Sequence, residues 1–496
     1  MRKTEDRQMK IGEVDISKIE FDARSRDEIP RLLRGLQYIY CTPEIKKEVF
    51  AILEEIAPPG KDRFNGRPGM DLWKILVLGT LRLNCDWDYD KLREIANEHR
   101  TLRLMLHHPE DDEYKYHLQT LRDNVSLLTP EALEKINTIV VSAGHRLVGK
   151  KKEEGLNGRC DSWVVETDVH YPTDINLLFD ATRKVIELTS RIKGIEGWRQ
   201  KEHNIRKVKR VFRRAQNLKR SNAKDPARKA AKEKDIVKVH REYIMEAEHY
   251  LDKAQESLAA LTGRRKCDAE KQLSEIEKHM GHARLLIGQI RRRVIRGESI
   301  PHEEKIFSVF EDHTEWICKG KAGITQELGL KVCILEDQYG FTLHHKVMRR
   351  QTDEEIAVEM VAAAKAKHPD LKGCSFDKGF HSPGNQERLA AILDRVILPK
   401  KGRLSAKDAR VEKSEVFVQA RRKHSAVESA ISAMENHGLD RCLDFGIEGF
   451  ERYVALAVVA RNLQVLGNYL LERELKSKKR REKYNRTRAG KKLKAA

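Results

Sequence analysis

Two short apolar runs end on a carboxylate: "WVVETD" closes on Asp168 and "GCSFD" on Asp377. Both read as buried strands, and as parallel neighbours in one sheet they would bring both acids out at the same edge, where α/β folds place their sites. Two carboxylates held close repel each other unless a cation lies between them. Oxygen donors left open to water and to a substrate phosphate suit Mg2+ or Mn2+. A third acid comes from "RRKHSAVESAISAMENHG" (421–438), which reads as one helix ending at Gly438. Val427, Ile431 and Met434 form its core face, with His424, Glu428 and Glu435 on the stripe beside it. Glu428 brought towards the two aspartates would complete a two-metal site for phosphoryl transfer. Each acid alone is weak evidence, because a strand-end Asp usually caps a helix or closes a turn.

Cations gather around the same segments. Lys319 and Lys321 in "CKGKAG", Lys378 and His381 after Asp377, Lys400 and Lys401 in "LPKKG", and Arg421, Arg422, Lys423 and His424 ahead of Glu428 are expected to flank the acidic edge. There they would contact nucleic-acid phosphates. For any one of them, a solvated loop charge is an equally good reading.

The elements that must position these residues are legible in outline. Gly379 is read as taking the positive φ of a sharp turn, and Ser382-Pro383 as the N-cap and first residue of a helix. Upstream, "LKVCILED…FTLHHKVM" predicts a β-hairpin, "TDEEIAVEMVAAAKAKH" a helix opened by Thr352 and Asp353, and "RVILP" a further strand. The N-terminal 150 residues read as helical. There "MDLWKILVLGTLRL" and "YDKLREIANEH" fit either a helix-turn-helix or a plain packing domain.

From about 185 to 298 the apolar spacing alternates between three and four: Val239, Tyr243, Ala247, Tyr250 and Ala254, then Ile276, Met280, Ala283, Ile287 and Ile290. An antiparallel coiled coil or small bundle follows, able to clamp DNA, dimerise or brace a domain.

Of 496 residues, 35% are charged and 6% aromatic, with a formal net charge of +20. The excess is local. Residues 201–300 hold 27 Lys and Arg against 14 Asp and Glu, and residues 471–496 hold 12 against 3. Positive field concentrated in two segments suits a polyanion partner. The longest apolar runs fall short of the roughly 20 residues that span a bilayer, and no leader pattern opens the chain, so a cytoplasmic, nucleoid-associated protein is expected. Eight scattered cysteines without a Cys-x-x-Cys pair argue against a disulfide framework and a structural zinc.

"ETDVHYPTDINLLFDA", "SFDKGFHSPGNQ" and "RKHSAVESAISAMENHGLDRC", in that order, resemble the three acidic blocks of insertion-sequence DDE transposases, closest to the ISNCY family. The likeness extends to "FEDHTEWICKGKAGITQELGLKVCILED", to "GFERYVALAVVARNLQVLG" and to the N-terminal helices. It implies a metal-dependent transposase that cuts element ends and transfers strands through a triad. Asp168, Asp377 and Glu428 would be both its catalytic residues and its metal ligands. Two Mg2+ ions, or Mn2+, are implied, with double-stranded DNA (terminal repeats and target) as partner and a homodimer assembled on it. The implied fold is an α/β ribonuclease-H-like catalytic core interrupted by a long helical, coiled-coil insertion and preceded by an all-α N-terminal domain. The expected boundaries are an N-terminal DNA-binding or dimerisation domain at 1–155, the first strand of the core at 156–184, the insertion at 185–300, the rest of the core at 301–470 and a basic disordered tail at 471–496. Related groups flank the glutamate with Tyr, Arg and Lys. Here Arg421, His424 and Glu435 stand in those places, so only the glutamate transfers. A ribonuclease-H-like nuclease and a non-catalytic DNA-binding protein are the alternatives.

Overall fold

The computed structural model describes all residues except 1–2, 6–7, 57–68, 152–153, 193–200, 221–224, 260–269, 319–325 and 496. Lys319 and Lys321 therefore lie outside the described residues. The chain divides into two compact units, Met1–Asp168 with Ile317–Ala496, and Val169–Trp316.

The sheet strands are β1 (Leu156–Thr167), β2 (Glu315–Cys318), β3 (Gln326–Glu336), β4 (Thr342–Met348), β5 (Leu371–Phe376), β6 (Arg395–Ile397) and β7 (Arg441–Cys442). They form one mixed sheet of order β2-β3-β1-β5-β6, with β4 also on β3 and β7 on β1. β3 and β4 are the expected hairpin, closed by Gly340 at φ +84°. β1 runs antiparallel to β3 and parallel to β5, and β5 is parallel to β6. Between β4 and β5, the helix Asp353–Lys367 starts at a capping box in which Thr352 bonds the backbone of Glu355 and Glu355 answers.

The N-terminal helices do not form a separate domain. They share one hydrophobic core with the sheet and with the C-terminal helix Gly446–Ala495, which packs along Glu28–Cys41, Leu72–Asn84 and Pro130–Val148. Two glycines permit the closest crossing. A Cβ at Gly35 would meet the Leu463 carbonyl oxygen at 2.2 Å, and one at Gly467 the Arg31 carbonyl oxygen at 1.8 Å. Helix Leu72–Asn84 is buried on almost every side, so it cannot enter a DNA groove; of this pair, Tyr89–Glu98 is the one with an open face. Helix Gly446–Ala495 has an apolar stretch long enough to cross a membrane, but that stretch is buried in this core.

The expected disordered tail is instead the continuation of this helix to Ala495. Lys, Arg, Glu and Ala are strong helix formers and no proline interrupts them. The described cysteines are free thiols, four of them buried.

The second unit is helical around its own core. Asp174–Arg191, Ile205–Arg220, Pro226–Ala259 and Glu270–Ile290 bury Tyr243, Ala247, Tyr250 and Ala254 together with Ile276, Met280, Ala283, Ile287 and Ile290, and Val239 is buried outside that cluster. Helix Glu270–Ile290 packs chiefly on Asp174–Arg191 rather than on Pro226–Ala259, so the arrangement is a bundle and not a two-stranded coil.

Candidate active site

β1 has twelve residues, not the six of "WVVETD", and the extra length decides which acid meets Asp377. Its parallel pairing with β5 runs through Arg159↔Ser375 to Cys160↔Phe376, which leaves Asp161 beside Asp377 one step further. Past that point β5 has ended and β1 continues alone with β3, then with β7 at Glu166 and Thr167. Asp168 lies seven residues beyond Asp161, roughly 23 Å along an extended strand. There its carboxylate is 3.9 Å from the Arg441 guanidinium. The structure therefore does not bring Asp168 to Asp377. It brings Asp161.

Glu428 reaches the same place, from a helix that is broken rather than continuous. Glu415–His424 ends at Ser425, Ala426–Met434 follows, and Gly438, at φ +96°, lies in the wider turn that closes it. His424, half-buried at the break, sits with Nδ1 3.0 Å from the Ser375 hydroxyl. Burial lowers its pKa, while Asp377 and Glu428 nearby oppose that shift.

Asp161 is the electrostatic centre. Burial first, then the charges of Asp377, Asp353 and Glu428, push its carboxyl up to about 6, against a hydrogen bond from the Ser162 amide at 2.8 Å. Asp353, at the start of its helix, accepts from the Ser162 hydroxyl at 2.6 Å and pairs with Lys331 at 3.1 Å. Gly379 does not take a positive φ; its value is the close approach, since a Cβ there would lie 3.2 Å from Asp353 Oδ2. Ser382 caps the next helix, Pro383–Ile392, with Pro383 in its first turn.

Asp161, Asp377 and Glu428 have no ion-pair partner among the described residues, and both Asp377 and Glu428 are exposed. Three hard oxygen donors with unbalanced charge, two of them open to water, are of the kind that suits a divalent cation such as Mg2+. Among the described residues no three His, Cys, Asp or Glu side chains are already gathered closely enough to hold an ion. A larger cavity, about 720 Å3 beside Arg100, Arg103 and Asp112, shares no residue with this site.

Of the expected phosphate contacts, Lys378, Lys401, Arg421, Arg422 and Lys423 are exposed and His381 is half-buried. Lys400 is bound to the Asp408 carboxylate, and His424 packs inward, so neither is a free surface contact. Sequence reading missed Asp161 and Asp353. The signal for Asp161 was the alternation of buried Leu156, Gly158 and Cys160, which extends the strand back through "LNGRCDS".

The raised Asp161 pKa has a consequence for stability. In the unfolded chain this carboxyl ionises near its ordinary 3.8, and in the folded protein near 6. The neutral form's contribution is thus complete below 3.8 and lost as pH rises through 6. Metal-free Asp161→Asn should be more stable than wild type at pH 8, by up to about 3 kcal/mol, with the difference vanishing below pH 4. Urea titrations at the two pH values, without divalent ions, measure it; equal stability at pH 8 would show that the charges are not held together.

No family model, no curated protein and no solved structure matches this chain.

Proposed function

We propose that this chain is a DNA transposase of the DDE type, acting through Asp161, Asp377 and Glu428 rather than through Asp168. The observation that carries the reading is that three carboxylates without ion-pair partners among the described residues, from adjacent parallel strands and a later helix, lie near one another where β5 ends midway along β1. The strand order β4-β3-β1-β5-β6, with the first three antiparallel and the last three parallel, supports a ribonuclease-H-like core.

Asp161 and Asp377 would hold two Mg2+ ions jointly and Glu428 would complete the coordination of one. When bound, these ions supply the charge stabilisation and the lowered pKa of the attacking water or 3′-hydroxyl that an in-line displacement needs. The chain itself then requires no Ser, Cys or Tyr nucleophile. Asp353, tied to Ser162 and Lys331, holds β1 and β3 in place beside the acids. Arg421, Arg422 and Lys423 on the last turn before the break, with Lys378, would grip strand phosphates. Joining two element ends to one target needs two protomers, so the working species would be a dimer on DNA.

Purified protein with Mg2+ and a labelled duplex carrying the DNA that flanks its coding sequence tests this on a denaturing gel. Nicks followed by joined products, both absent with Asp377→Ala, are expected. Nicks without joining or end preference would make it a nuclease, and metal-independent behaviour identical in both proteins would leave a DNA-binding protein.

A further inference from the structure

The sheet face that carries the acids also carries a cavity. Alternation along β1 and β5 puts Arg159 and Asn157 on the face of Asp161, and Ser375 and Gly373 on that of Asp377. Register extends both rows into β6, aligning Arg159 with Ser375 and Ile397, and Asn157 with Gly373 and Arg395. These rows, roofed by Val416, Gln419 and Lys423 of helix Glu415–His424, enclose about 480 Å3. The cavity starts one two-residue step, about 7 Å, from the acid pair.

Its lining mixes cationic and apolar groups. Arg395 and Lys423 are exposed and have no carboxylate partner among the described residues, whereas Arg159 is held by Glu336 at 3.1 Å. The one carboxylate in the lining, Glu154, is engaged by Tyr339. Ile397 and Val416 line the cavity beside the cations, Ile397 two residues from Arg395 on the same strand face and 6% exposed, Val416 two turns before Lys423 on the helix and 62% exposed. A ligand that satisfies this lining carries both an anion and a flat apolar surface. The volume is that of a small-molecule site, larger than a phosphate requires.

We propose that this cavity receives an unpaired nucleotide of the substrate strand, its phosphate on Arg395 and Lys423 and its base against Ile397 and Val416. The assignment rests on the DNA-processing reading above and extends it from strand contact to recognition of a strand end or distortion next to the reacting phosphate. Stacked or apolar base contacts are tolerant of sequence, so the cavity would select unpaired structure rather than a particular base.

Fluorescence anisotropy with the full-length protein in EDTA, where no metal chemistry proceeds, tests the cavity apart from catalysis. The probes are one duplex in fully paired form, with a three-nucleotide overhang of either polarity, and with an abasic overhang. Wild type should prefer one overhang over the paired duplex by about tenfold. Arg395→Glu and Val416→Asp, both at exposed positions, should each abolish the preference while leaving paired-duplex affinity within about twofold and the melting curve unchanged. Equal affinity of wild type for all probes overturns the proposal, as does a preference that survives both substitutions. Full preference for the abasic overhang would reduce the cavity to a phosphate site and overturn the nucleotide assignment. A protein that shows the cavity-dependent preference but never cleaves would lose the transposase reading alone; one that cleaves without the preference would lose this proposal alone.

Discussion

Asp161→Asn should lower metal-dependent cleavage by about 10³-fold or more, while Asp168→Asn should leave it within about twofold. The amide keeps the size of the side chain and its hydrogen bond from the Ser162 amide but removes the charge that a divalent cation needs. Losing several kcal/mol of charge stabilisation corresponds to that factor in rate. Asp168 is expected to be silent because it stands beyond the end of β5, beside Arg441, with no route to Asp377 short of re-registering β1. Such a slip by an odd number of residues would exchange the two faces of β1, carrying Cys160 and Trp163 each to the opposite side of the sheet, and a slip by seven would replace every native pair with β5 and break the pairing with β7. Single-turnover cleavage at saturating Mg2+, with the Asp377→Ala protein as baseline, measures both variants. Loss of activity in Asp168→Asn with retention in Asp161→Asn would return the first acid to the end of β1 and remove the geometric basis of the site.

The difference between the two aspartates shows where sequence reading stops. "GCSFD" was legible because its residues are buried without interruption and Ser382-Pro383 announces the next helix. β1 was not, because "LNGRCDS" is composed of residues that locally favour loops. They are held extended by β3 on one side and β5 on the other, and Gly158 is there for space, since a Cβ would lie 2.7 Å from Leu335 Cδ2. No local pattern carries that information; only the weak alternation of Leu156, Gly158 and Cys160 does. The break at Ser425 was equally hidden, because "RRKHSAVES" is acceptable helix sequence and the inward turn of His424 towards Ser375 is a tertiary contact. The merging of the N-terminal helices with the C-terminal helix depends on Gly35 and Gly467 meeting backbone to backbone, across more than 400 residues of chain. The tail went astray for a different reason: its charge suggested disorder, while its residue types favour helix.

The largest stability effect expected of a single substitution lies away from the site, in the helical core. Arg82, 1% exposed on helix Leu72–Asn84, pairs with Asp444 at 2.9 Å, and its guanidinium lies 3.9 Å from the Tyr89 ring centre and 5.3 Å from that of Tyr453. Asp444 follows β7, the strand that pairs with the far end of β1, so this ion pair joins the helical core to the sheet. Arg82→Ala would remove both ring contacts and leave Asp444 with Arg452 alone, at 3.2 Å. Breaking one side of a buried pair costs about 3–5 kcal/mol, because the remaining charge stays desolvated. Arg452 is the compensating cation that places the expectation at the lower end. Arg82→Met with Asp444→Asn should recover at least half of the loss, since the pair's desolvation disappears together with its attraction. Urea unfolding followed by tryptophan fluorescence measures the cycle, the affected transition being that of the unit containing Trp73 and Trp163. A loss below about 1 kcal/mol for Arg82→Ala would mean that water reaches Asp444 once the guanidinium is gone, and that the helical core and the sheet are joined by apolar packing alone.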